Sequence, residues 1–145
     1  MKIIILMCFF ALSGCASLQA KFNSMATKGE SYVAPDISQE DANIVAQDMA
    51  EYLSENFPAA KTTIDVGASK GPLQSTLVEQ LTLEGFGVVE KKSDNSIPLR
   101  YKVSPLYKGV LVRMAYQGTE VSRFYSRGSD GGLSASGYAV REAAK

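Results

Sequence analysis

Between residues 99 and 126 apolar and polar side chains alternate with a period of two, a pattern that gives an extended strand one dry and one wet face. Leu99, Tyr101 and Val103 alternate with Arg100, Lys102 and Ser104, and Val110, Val112, Met114 and Tyr116 alternate with Leu111, Arg113 and Ala115. Pro105 is expected to break the first run, because it cannot donate to a ladder. Gln117-Gly118-Thr119 reads as a tight reversal into a third run from Val121 to Ser126, which predicts antiparallel hairpins. Asp130-Gly131-Gly132 marks a further turn, and Gly137 to Arg141 a short last strand.

The preceding stretch has helical periodicity. Ser38 is placed to cap a helix with Asp41 three residues on, and Ala42, Val45, Met49 and Leu53 recur at helical spacing, with Ala46 and Ala50 widening the stripe. Glu40, Asp48, Glu51 and Glu55 lie off the stripe and read as a solvated acidic face rather than a metal site. The helix is expected to end before Phe57-Pro58. Residues 61–66 are β-branched and alternating, a strand. A second helix starts with Pro72 at its first position, carries Leu73, Leu77 and Leu81, and closes at Gly85. Gly67 and Gly71 invite comparison with a phosphate loop, but Pro72 and Leu73 stand where that motif needs lysine and a hydroxyl residue, so a tight strand-to-helix turn explains them. Residues 86–90 form the next strand, completing a βαβ-like unit, and residues 91–98 read as a polar loop. The order of elements predicts an α+β domain over residues 38–145, with two helices packed on one face of a mixed, largely antiparallel sheet.

The N-terminus has a different character. Met1-Lys2 is followed by about ten apolar residues, the layout of a secretory signal, and roughly half the length that a helix needs to span a bilayer. Leu12-Ser13-Gly14-Cys15 resembles the lipobox of bacterial lipoproteins: an aliphatic residue, two small residues and a cysteine. Residues 1–14 are therefore expected to be removed by cleavage between Gly14 and Cys15, and Cys15 to carry acyl chains, of which two suffice for stable anchoring. Ala16, rather than an acidic residue, follows Cys15 and favours the outer membrane over retention at the inner one. Residues 15–37 lack apolar periodicity and read as a lipidated cysteine with a flexible tether.

Composition narrows the chemistry. The chain has no histidine, which removes the commonest general base and a common metal ligand. Cys8 leaves with the signal and Cys15 is consumed by lipid, so neither a disulfide nor a catalytic thiol is expected. Carboxylates such as Asp65, Glu79, Glu84 and Glu90 show no spacing that singles out an acid–base pair. Charge is segregated: residues 15–97 hold 6 Lys and no Arg against 12 acids, and residues 98–145 hold 3 Lys and 5 Arg against 3 acids. Five of the seven tyrosines share the basic half. Arg and Tyr are enriched at protein interfaces, which makes Arg113, Tyr116, Arg123, Tyr125 and Arg141 candidate partner-binding residues. Basic strands facing acidic helices inside one fold would account for the same pattern.

Val121-Ser122-Arg123-Phe124-Tyr125, Gly131-Gly132-Leu133 and Gly137-Tyr138-Ala139-Val140-Arg141-Glu142 resemble the C-terminal part of the TrbH family of conjugal-transfer lipoproteins. The signal with Cys15, the spacer, the acidic first helix, the Phe57-Pro58-Ala59 exit, the second helix ending at Gly85-Phe86 and the strand of Arg113 follow in the family's order. The resemblance implies a small, non-enzymatic lipoprotein at the outer membrane, its domain in the periplasm. It would support the assembly or anchoring of a conjugative type IV secretion system in mating-pair formation. Its partners would be the membrane, through the acyl chains of Cys15, and proteins of the envelope apparatus, with no cofactor, metal, small-molecule substrate or direct nucleic-acid contact. The alternative on the residues alone is an envelope lipoprotein that binds and regulates another periplasmic enzyme, such as a peptidoglycan synthase.

Overall fold

The computed structural model describes residues 30–142. The expected signal peptide, Gly14, Cys15 and most of the expected tether lie outside those residues. The domain is α+β, with two helices and a mixed, mostly antiparallel principal sheet. Helix α1 (Gln39–Asn56) starts as the sequence predicts, with the Asp41 amide donating to Ser38 Oγ at 3.1 Å. Helix α2 (Pro72–Leu83) begins on Pro72. It ends in a Schellman-type cap: Phe86 N donates to Leu81 O and Gly85 N to Thr82 O, with Gly85 at φ 94. Phe86 and Leu81 are both buried, so the cap also turns the chain back into the core.

Six strands form the principal sheet: β1 (Tyr32–Val33), β5 (Arg100–Leu106), β6 (Gly109–Tyr116), β7 (Thr119–Arg127), β8 (Leu133–Ala135) and β9 (Ala139–Glu142). β5, β6 and β7 form an antiparallel meander, β1 adds in parallel to β5, and β8 and β9 pair with opposite ends of β7. The β6–β7 reversal is Gln117-Gly118 with both residues at positive φ, the conformation of a type I′ turn. A second, smaller sheet is wholly parallel: β2 (Thr63–Asp65) lies between β3 (Gly87–Val89) and β4 (Ser96–Pro98). β4 runs on through Leu99 into β5, so a single stretch of chain joins the two sheets.

Several local expectations need correction. Pro105 does not break its strand but pairs with Val110 inside β5. Alternation along the two-residue hairpin turns its nitrogen away from β6, and β1 covers only Lys102 and Val103, so the missing N–H faces no partner. Residues 96–98 form β4 rather than loop, a three-residue parallel strand too short to show any period. The stretch read as tether ends in structure: Tyr32 and Val33 pair with β5, Ala34 N donates to Val103 O at 3.0 Å, and Ala34 and Ile37 are buried. Lys61 belongs to a 3-10 turn (Ala59–Lys61), and the β2 strand starts at Thr63.

The core lies between the helices and one face of the principal sheet. Val45, Met49 and Leu53 of α1 and Leu73, Leu77 and Leu81 of α2 pack with Tyr101, Val103, Val110, Val112, Met114, Val121 and Tyr125. Those sheet positions alternate along their strands and meet across them, as in Val103↔Val112 and Met114↔Val121, so the period read from the sequence is the inward face. Asp65, fully buried at the end of β2, accepts from Gly67 N at 2.8 Å and from Arg100 Nη2 at 3.1 Å, which pins the smaller sheet to the start of β5.

Candidate functional site

The inward face of β7 is not wholly apolar. Arg123 and Arg127 share it with Val121 and Tyr125, and α1 lays two aspartates over it. Asp41 takes Arg127 as a bidentate pair, at 3.2 and 2.6 Å. Asp48 accepts from Arg123 Nη1, from Tyr125 OH and, at 2.6 Å, from Tyr138 OH. Tyr138 OH also reaches the Asp48 carbonyl oxygen at 3.1 Å, and Arg123 Nε donates to Ser136 O at 2.6 Å. The Arg123 guanidinium lies over the Tyr138 ring, 4.1 Å from its centroid. That ring packs on Tyr52 at 4.4 Å, and Tyr52 OH shares a 3.2 Å hydrogen bond with Tyr116 OH. The seam therefore ties α1 to β6, β7 and the segment that leads into β9.

Electrostatics follow from these contacts. The hydrogen bond from Arg127, then its charge and the bond from Ser38, overcome burial to hold the Asp41 carboxyl below its ordinary range. Burial first, and the carboxylate of Asp48 second, push the hydroxyls of Tyr125 and Tyr138 well above the usual tyrosine value, so both stay protonated donors. Burial also raises Tyr116, helped by Tyr52. Burial alone would lower the Arg123 guanidinium, but Tyr138 and the charge of Asp48 outweigh it and the net shift is upward. None of these groups is offered to solvent as an acid or base. All three aspartates of ion pairs, Asp41, Asp48 and Asp65, are engaged by arginines.

The five residues flagged from sequence separate into two sets. Tyr116 and Tyr125 are buried, and Arg123 is turned inward on the Asp48 seam, so these three hold the fold together and none presents a free surface. Arg113 and Arg141 are exposed on the opposite, outer face of the sheet. Asp48, read from the sequence as part of a solvated acidic face, is the acceptor at the centre of the seam, while Glu40, Glu51 and Glu55 are exposed as expected. Arg127 and Tyr138 were not singled out by sequence and belong to the same seam. A matching of spacings carries the signal: Asp41 and Asp48 are two helical turns apart, about 10 Å, and Arg127 and Arg123 four strand residues apart, about 13 Å.

Among the described residues no three His, Cys, Asp or Glu side chains gather as a metal site, and no helix is long and apolar enough to cross a membrane. Comparison with known proteins finds no match among curated proteins or solved structures. The family model described as conjugal transfer protein TrbH matches residues 22–143, from ahead of β1 to just past β9. On that match, the chain belongs to the TrbH family of conjugal transfer proteins.

Proposed function

We propose that this conjugation component is a lipoprotein, anchored at the outer membrane through acyl chains on Cys15, that acts without catalysis in assembling or anchoring a type IV secretion channel. The observation that carries the reading is the pairing of a lipobox, Leu12-Ser13-Gly14-Cys15, with a domain of the TrbH family on the same chain. Two acyl chains anchor a protein stably, since each buried methylene contributes about 0.8 kcal/mol. The spacer between Cys15 and β1 reaches up to roughly 50 Å when extended, enough to hold the domain off the lipid surface and against a large assembly. A structural role also accords with a chain that has no histidine and whose buried aspartates all serve arginines. Its partners are then protein surfaces, for which the exposed arginines Arg113 and Arg141 are the available contacts.

Cys15→Ser tests the anchor. The expected result is loss of metabolic palmitate labelling, release of the protein from the outer-membrane fraction and a fall of at least tenfold in conjugation frequency. A variant that still fractionates with outer membrane and supports normal transfer overturns the proposal.

A further inference from the structure

The outer face of the principal sheet is uncovered among the described residues, and its charges are arranged against the rules of sheet stability. Lys102 of β5 and Arg113 of β6 stand directly opposite each other, both exposed. Like charges in that position destabilise an antiparallel pair. No carboxylate stands in this row or pairs with either cation: the three ion pairs of the described residues lie elsewhere, the other cross-strand neighbours are Tyr32, whose ring is 5.9 Å from Lys102 Nζ, and Ser122, and Glu120, diagonal to Arg113, forms no ion pair with it. Arg141 adds a third cation one row away, opposite Glu120. On the other side of the row Leu111 and Phe124 form a half-buried apolar pair, close to Leu106, which is 39% exposed. A local rule broken without a compensating internal contact points to a partner.

The charge of that partner is negative, and this chain's own tails do not supply it. Residues 1–29 and 143–145 contain Lys2, Lys21, Lys28 and Lys145 and no acid. The helix layer does. α1 and α2 together carry no lysine or arginine. Asp41 and Asp48 turn inward, which leaves Glu40, Glu51, Glu55 and Glu79 exposed, with Leu83 at 73% exposure one turn beyond Glu79. Acid beside an exposed apolar side chain on the helix layer thus complements cation beside an apolar pair on the sheet.

We propose that the outer face of β5 and β6 docks the acidic helix layer of a second copy of this chain, head to tail. The two surfaces lie on opposite sides of one molecule, so each docking leaves one of each kind free. Such a heterologous contact extends into a ring or a filament rather than closing as a two-fold dimer. The footprint, the three strands β5–β7 at about 4.8 Å each by seven residues of about 3.3 Å, is roughly 330 Å² per copy, below the usual size for a specific interface and in the range of weak contacts. Association is therefore weak in dilute solution, favoured where copies are confined together, and sensitive to salt.

Sedimentation of the full chain in detergent, over a concentration series up to about 0.5 mM at low ionic strength, tests this. The expected result is mass that grows with concentration beyond the dimer and falls back to the monomer in about 0.5 M salt. Lys102→Glu with Arg113→Glu should abolish growth, and so should Glu51→Lys with Glu55→Lys and Glu79→Lys, while mixing the two variants restores it. Lys102→Gln with Arg113→Gln serves as a milder pair, and circular dichroism checks that each variant is folded. A monomer at every concentration overturns the proposal, as does association that survives charge reversal on the sheet or stops at a two-fold dimer.

Discussion

Asp48 carries more of the fold than any other single side chain on the helix surface. Its carboxylate receives a guanidinium and two phenols from β7 and the segment before β9, contacts separated from it by 75 to 90 residues in sequence. Replacing it with alanine leaves the Arg123 charge partly buried and the Tyr125 hydroxyl, on a residue 1% exposed, without an acceptor. Truncating one partner of a buried charge network costs about 3–5 kcal/mol, and the partial exposure of Asp48 places the expected loss near ~3 kcal/mol. Asp48→Asn keeps the shape and one acceptor oxygen and should lose about half as much. Urea unfolding of both variants checks the pair; equal losses would mean that the charge, which both variants remove, rather than the hydrogen bonds sets the size of the effect. Such a loss would say nothing of partner binding, because Arg123 and Tyr125 spend their interface-prone chemistry inside the domain.

Among the elements, those with many repeats of their period were legible and those of two or three residues were not. α1, α2 and the β5–β7 meander each show at least three apolar positions at regular spacing, and the helix caps and the β6–β7 turn follow from the sequence, whereas the β5–β6 turn does not, since Pro105 suggests an earlier break. β1, β4 and the placement of β8 and β9 at two ends of β7 do not, since two to four residues define no period and their pairing is set by the edges that the meander leaves open. The seam was legible only in outline: charge segregation leaves open basic strands facing acidic helices inside one fold, which the Arg123–Asp48 and Arg127–Asp41 pairs realise, but hydrophobic periodicity counts a charged helix residue as outward and so places Asp48 on the solvated face. The β5–β6 hairpin shows how narrow the tolerance of such an element is. A Cβ on Gly109 would stand 2.1 Å from Tyr125 O and 2.7 Å from Phe124 Cζ, and backbone on one side leaves little room to give way. Gly109→Ala should therefore cost roughly 2–3 kcal/mol through overpacking. Amide exchange should show protection falling first along Gly109–Tyr116 and its partner Thr119–Arg127; uniform loss across α2 and β2 as well would place the damage elsewhere.

The molecule as a whole is polarised, with an acidic helix layer on one side, a cationic sheet face on the other, and its inward ion pairs joining the two. Segregation of this kind has two sources here. Arg123 with Asp48 and Arg127 with Asp41 are charges drawn into the seam, where they stabilise the packing of α1 on β7. Lys102 and Arg113 are charges left outside it, where they oppose each other and no ion pair within the described residues engages them, Lys102 having only the Tyr32 ring at 5.9 Å. If that pair is kept for an acidic surface, relieving it should improve the fold and harm the function. Lys102→Glu sets an acid opposite Arg113 and should raise stability by about 0.5 kcal/mol, a rise in Tm of roughly 2–4 °C for a domain of this size. The same variant should lower conjugation frequency while the protein remains at normal abundance in the envelope. Thermal unfolding and mating assays on the one variant separate the outcomes: a higher Tm with unchanged transfer removes the sheet face from the protein's function, whereas a lower Tm means that Lys102 is held by contacts other than the cross-strand repulsion. Gain in one measurement with loss in the other is what a surface retained against its own stability predicts.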